Sequence, residues 1–385
     1  MLKDDKAPEV SRGGDAGRIE IHAALMPRLN LADFQNSVPA LRELAVANGT
    51  QAALQGLDLS VSSEPAFVKP RTWHLDAVGA AQTMQVKELD LQLDGALLSR
   101  LTESEKATVV FMLVQRALPE QVLCTLDVVV ELLPRNQWAG IGQLPDMVAA
   151  FVQPNDPAVE RVLKSAAGVL HRAGKSAAID GYKHGAKRAW ELASSIWGAV
   201  VAMRLDYSLP PASFEHTGQK VRGPSQVAES GLATCLDLAL LFAACMEQAH
   251  LNPLIVFLKG HAFVGVWLKS EEFSTTVVDD VTALRKRVKL KELILFETTL
   301  ATHRPAASFS QACEHAVKQI TEENEDVFEL AVDVRRARMT RIKPLASAEA
   351  AAARPAEPSV QEVVPEFEEA PELLEDGADE APPPS

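Results

Sequence analysis

The chain has 385 residues, 47% of them apolar, and a formal net charge of −14. This is enough apolar content to bury a substantial core, and the length allows more than one domain. The acidic balance argues against a dedicated nucleic-acid surface, and no apolar stretch approaches the ~20 residues needed to cross a bilayer.

Residues 346–385 hold eleven Asp or Glu against Arg354 alone, so most of the negative charge belongs to the C-terminal tail. The polar start, Met1 to Gly17, lacks an apolar h-region. Neither secretion nor membrane insertion is expected, and the cytoplasm is the natural compartment. The four cysteines, Cys124, Cys235, Cys245 and Cys313, are far apart with no C-x-x-C pair. That spacing argues against a disulfide framework or a thiolate zinc site, and no cofactor is implied.

From Arg18 to Trp138, short Val-, Leu- and Thr-rich runs broken by Pro, Gly, Asn and Ser predict an antiparallel β-domain. The clearest strands are Arg18–Ala24, Ala53–Val61, Thr83–Leu93, Thr108–Gln115 and Val122–Leu133. Within the third, Leu89-Asp90-Leu91-Gln92-Leu93 alternates as a strand with one wet face should. Strand count and spacing suggest an immunoglobulin-like sandwich over 18–140. From Leu144 to Met203 the pattern turns helical, with Ala-rich segments Ala158–His171 and Ala186–Met203. Tyr207–Pro224, containing Pro210-Pro211, reads as a loop.

Thr234-Cys235-Leu236-Asp237 then opens an apolar run, and a Thr followed three residues later by an acid marks a helix N-terminus. Cys235 falls in the first turn, where free N–H groups and the helix dipole favour thiolate over thiol. Pro253–Leu258, a Lys259-Gly260 turn and His261–Leu268 predict a hairpin with His261 at the head of its second strand. Leu293–Ala301 is the next strand, followed by a helix over Phe309–Ile320 and a strand over Val327–Val334. The tail beyond Leu345 is rich in Ala, Pro and Glu, and predicts disorder.

A cysteine at a helix start, a histidine at a strand head and an acid on a neighbouring strand could supply nucleophile, base and orienter. Cys235 and His261 fill the first two roles. For the third, Glu297 sits in an apolar run and needs a partner, while Asp280, in the polar stretch Ser270–Asp280, is the alternative. Asp237 reads as a helix cap, and Gln219 is considered as an oxyanion donor. Cys245 reads as core packing, Trp138 and Trp267 as packing residues, and the remaining histidines have no metal-ligand spacing.

The segments Ser230-Gly231-Leu232-Ala233-Thr234-Cys235-Leu236-Asp237, Lys259-Gly260-His261-Ala262-Phe263-Val264 and Phe296-Glu297-Thr298-Thr299 resemble the Cys, His and acid boxes of the transglutaminase-like superfamily of papain-type cysteine enzymes. Glu297 stands where that family usually has Asp, and Ala233-Thr234 where a Gly commonly precedes the cysteine. The resemblance implies a papain-like α+β domain over 141–345, with the Cys helix packed on an antiparallel sheet. It also implies acyl transfer on protein amides, with hydrolysis favoured over cross-linking.

Tyr207 to Arg222, with Asn136-Gln137-Trp138-Ala139-Gly140 upstream, is further similar to the amino-terminal region of large bacterial DNA helicases, where a sandwich precedes such a domain. A helicase or DNA-transaction partner follows as an expectation, alongside a protein or peptide substrate. No G-x-x-x-x-G-K-[ST] loop is present in this sequence, so ATP hydrolysis is not assigned to it. The competing expectation is a non-catalytic module of the same fold that recruits a partner.

Overall fold

The computed structural model describes residues 17–346 and 367–371, which belong to two compact units divided between Arg135 and Asn136. The division falls before the expected boundary at 140, because Gln137–Trp138 pairs with Gln219–Lys220 and so belongs to the second unit.

The first unit contains β1 (Ile19–Leu25), β2 (Arg28–Leu29), α1 (Leu31–Gln35), β3 (Leu41–Asn48), β4 (Leu54–Glu64), β5 (Arg71–Val78), β6 (Gln82–Gln85), α2 (Gly95–Arg100), β7 (Glu105–Gln115) and β8 (Leu118–Leu132). The strands form a three-stranded sheet, β1-β3-β6, and a five-stranded sheet, β2-β8-β7-β4-β5. Apolar alternation fixes the inner faces: Leu57, Leu59 and Val61 of β4 and Ala107, Val109, Phe111 and Leu113 of β7 are buried. Each large member of that set contributes about 1.5–3 kcal/mol of transfer free energy.

The alternating stretch Leu89–Leu93 is not a strand. β6 ends at Gln85, and Leu93 makes only an isolated bridge to Val68. Loop hydrogen bonds occupy this segment instead, with Lys69 N donating to Gln92 O and Asp94 N to Phe67 O. Alternation alone does not supply a neighbouring strand with free backbone groups.

The second unit runs through β9 (Gln137–Trp138), a 3-10 helix (Pro145–Phe151), α3 (Pro157–Arg172), α4 (Gly185–Ala202), β10 (Asp206–Tyr207), α5 (Phe214–Thr217), β11 (Gln219–Lys220), α6 (Pro224–Ser230), β12 (Leu232–Ala233), α7 (Cys235–Gln248), β13 (Pro253–Leu258), β14 (His261–Trp267) and β15 (Val277–Val278). It continues through α8 (Val281–Lys289), β16 (Leu293–Phe296), a 3-10 helix (Thr298–Thr302), α9 (Phe309–Gln319), a 3-10 turn (Glu322–Val327), β17 (Phe328–Asp333) and α10 (Val334–Met339).

Its main sheet has the order β15-β17-β13-β14-β16, with every pairing antiparallel. The β13–β14 hairpin closes at Leu258 opposite His261, and Gly260 takes a φ of +71° that an L side chain rarely adopts. Every residue of β13 is buried, as is every residue of β14 except half-buried His261. α7 is buried all round from Cys235 to Met246, the pattern of an interior helix rather than an amphipathic surface one. Trp197, Phe242, Phe296 and Phe309 bring α4, α7, β16 and α9 together, with Phe242 and Phe296 centroids 5.3 Å apart and Phe296 and Phe309 5.2 Å apart. This cluster fixes the residue immediately before Glu297.

Two expected spans are corrected here. β16 stops at Phe296, so Glu297 is the N-cap of a 3-10 helix rather than an internal strand residue. Asp280, expected in a solvated loop, caps a helix, α8, that the sequence reading had not assigned. Among the described residues no helix is long and apolar enough to cross a membrane. Most of the tail expected to be disordered lies outside the described residues, but Phe367–Pro371 is placed, and Glu368 is hydrogen-bonded to the second unit.

Candidate functional site

Cys235 is the first residue of α7, and a capping box fixes that position. Thr234 Oγ1 accepts from Asp237 N at 3.2 Å, and Asp237 Oδ2 accepts from Thr234 N at 2.9 Å. Asp237 has no exposed surface, yet its carboxylate also accepts from Arg222 N at 2.8 Å and Arg222 Nη1 at 2.9 Å. A buried charge needs such a set of donors. Gln219 Nε2 donates to Thr234 Oγ1 at 3.0 Å, while Gln219 Oε1 is buried without a partner. The considered oxyanion donor is therefore tied to the cap of the cysteine helix. Asp237 takes the capping role expected for it.

His261 and Glu297 arrive from adjacent strands. Val264 pairs with Phe296, and continuing that register brings Glu297 beside the His261 end of β14. His261 Nε2 lies 2.6 Å from Glu297 Oε2. Gln319 Nε2 donates to the same oxygen at 2.6 Å, and Thr299 donates to Glu297 Oε1 through N at 3.0 Å and Oγ1 at 2.7 Å. Cys235 acts on the His261 ring as well, raising its affinity for a proton. Cys235, His261 and Glu297 thus come together, whereas Asp280 accepts from Thr282 N and makes no hydrogen bond to His261 among the described residues.

Electrostatics set the protonation of the pair. Burial would raise the Glu297 carboxyl, but hydrogen bonds from His261, Gln319 and Thr299, with the imidazolium charge, pull it down to about 2. Burial would lower His261, but its interaction with Cys235, its hydrogen bond to Glu297 and the charges of both lift it to about 10. At neutral pH the site therefore holds a carboxylate and an imidazolium, the latter able to donate at both ring nitrogens.

Tyr207 is a member of the site that sequence reasoning placed in a loop without a role. β10 pairs in parallel with β12, setting Tyr207 opposite Ala233 and just before the cysteine helix. Burial, then its interaction with Cys235 and the charge of Glu297, push the ionisation of its phenol upward. Cys235 has no exposed surface, and Tyr207 is near enough for the two to act on each other electrostatically. Arg222, Thr299 and Gln319 were likewise not singled out. Thr299 stood next to the candidate acid, but Gln319 reaches it from α9, a packing relation that no local spacing encodes.

The remaining residues sort by burial. Cys245 is fully buried, and its thiol is pushed upward by that burial and then by the charge of Asp156. Trp138 stacks on Phe257 at 4.9 Å, and Trp267 Nε1 donates to Asp333 Oδ2 at 3.2 Å. Among the described residues no group of three or more His, Cys, Asp or Glu is arranged to hold a metal ion. The chain matches no protein-family model and no curated protein sequence.

Proposed function

We propose that the second unit is a transglutaminase-like, papain-type cysteine enzyme, and that Cys235, His261 and Glu297 carry acyl transfer on protein or peptide amides. The observation that carries this reading is the 2.6 Å contact between His261 and Glu297, set beside a sulfur at the start of a buried helix. In the first step Cys235 Sγ attacks the amide carbonyl carbon, and the tetrahedral oxyanion collapses as His261 gives its proton to the leaving nitrogen. The resulting thioester is resolved by water, whose proton returns to His261 while the new acid leaves and the sulfur is regenerated. Glu297 keeps the imidazole oriented and supports its positive charge. The N–H groups of Cys235 and Leu236, ahead of the Asp237 amide that the cap takes, are suited to the oxyanion, because a helix leaves its first N–H groups without intrahelical partners. The first unit fits an immunoglobulin-like sandwich, and a helicase-linked protein in the cytoplasm is the context this reading implies.

A second reading has one observation in its favour: Cys235 is wholly buried, as in a non-catalytic module that recruits a partner. Incubation with a peptide mixture in heavy-oxygen water separates the two. The enzyme reading expects new carboxylates carrying the heavy isotope, absent with Cys235→Ala. A peptide mixture left unchanged, with neither new carboxylates nor new amide links, supports the module.

A further inference from the structure

We propose that Phe367–Pro371 is an intramolecular docking segment, and that Lys175, Ser194 and the first turn of α9 form a surface selective for an extended acidic peptide led by an aromatic ring. This inference is independent of any activity at Cys235. Its basis is the accounting of polar groups at the start of α9. Ser308 caps the helix and exchanges hydrogen bonds with Gln311, which leaves the N–H of Ser310 without a partner inside the helix. Glu368 Oε2 takes that N–H at 3.1 Å, placing a carboxylate at the positive end of an eleven-residue helix.

Two further contacts fix the same peptide. The hydroxyl of Ser194, on α4, is 1% exposed and donates to the Glu368 carbonyl at 3.4 Å. A buried hydroxyl needs a partner, and here the tail backbone supplies one. Lys175 holds Glu191 at 3.3 Å and lies 5.9 Å from the centroid of the Phe367 ring and 4.0 Å from Glu369. A carboxylate on a helix end, a carbonyl on a buried serine and a ring under an ammonium define direction and register together. Nonspecific attraction of an acidic tail to a basic face would define neither. Cys313, on α9, registers the occupant, because its thiol is held upward first by burial and then by the charges of Glu368 and Glu314.

The test uses the full chain. Hydrogen exchange followed by mass spectrometry is expected to show the Ser310 amide protected in the wild type and released in Glu368→Lys. Alkylation of Cys313 is expected to rise about tenfold in that variant, since the cover and the nearby negative charge leave together. Adding a synthetic peptide spanning residues 362–374 at millimolar concentration should restore slow alkylation of Cys313 in Glu368→Lys. Exchange of the Ser310 amide at an unprotected rate in the wild type overturns the proposal, as does a Cys313 rate indifferent to both the substitution and the peptide. Should Glu368→Lys fail to fold, Lys175→Glu provides the same comparison, and the wild-type exchange measurement stands without any variant.

Discussion

The first and third turns of α7 each carry a cysteine, and both are fully buried. Cys245 is a small core residue, accounted for by dispersion and transfer energy, whose thiol feels burial and then the charge of Asp156. Cys235, at the start of the same helix, interacts electrostatically with His261 and Tyr207, and the cap before it is held by Asp237, Arg222 and Gln219. Burial is therefore the same at both positions and chemistry differs. What separates them is the helix end, where unsatisfied amides and converging loops bring polar groups to a sulfur, and the helix interior, where the backbone satisfies itself.

The largest effect on that contrast is expected from Cys235→Ala, which should abolish thiol-dependent turnover by ~10³-fold or more. Peptide hydrolysis or transamidation assays check it, with Cys245→Ala as the control that lowers stability but leaves turnover per folded molecule intact. His261→Ala should slow both turnover and alkylation of Cys235 by about 10²–10⁴-fold, the usual range for losing a general acid–base. Peptide mapping of limited iodoacetamide labelling reads the second quantity. An unaltered Cys235 rate would show that the imidazole does nothing for the sulfur.

Next in size is Glu297→Gln. Losing the carboxylate removes one hydrogen bond and one charge that lift His261, so its titration should move from about 10 toward the ordinary range near ~6.5. Linkage gives the sign for stability. A carboxylate lowered to about 2 contributes stability that is present above its unfolded value and is lost as the pH falls toward about 2. An imidazole raised to about 10 contributes stability that is complete below its unfolded value and is lost as the pH climbs through about 10. Denaturant unfolding across pH should therefore flatten on the acid side for Glu297→Gln and on the alkaline side for His261→Gln. The smallest effect is expected from Tyr207→Ala, which uncovers the sulfur: alkylation of Cys235 should quicken severalfold, while Tyr207→Phe, keeping the ring, should change it less. A slower rate in Tyr207→Ala would assign the phenol to activating the sulfur rather than covering it.

How far such a site can be read from sequence depends on how local its physics is. The cap at Thr234 and Asp237 is a three-residue relation, and the Lys259-Gly260 turn with its positive φ is a two-residue one, so the helix start and the hairpin were legible. Glu297 could be singled out because an acid in an apolar run requires a partner, yet its place at the end of β16 depends on the strand stopping at Phe296. Asp280, the reserve candidate in a polar stretch, is instead the cap of α8. Leu89–Leu93 misled because alternation describes a residue's two faces and says nothing about whether a neighbouring strand offers backbone partners. Gln319 and Tyr207 belong to the site only through packing of α9 and pairing of β10 with β12, contacts between segments far apart in the chain. The residues 367–371 were hidden in composition, where one short ordered stretch is outweighed by the Ala, Pro and Glu around it.

The most direct measurement is nitrogen-15 NMR of the His261 ring at about pH 8, where an unperturbed histidine is neutral. A doubly protonated ring that becomes neutral on Glu297→Gln is the expected result. A ring already neutral in the wild type at that pH would mean that Glu297 does not hold an imidazolium against Cys235, and would contradict the account of a charged resting pair.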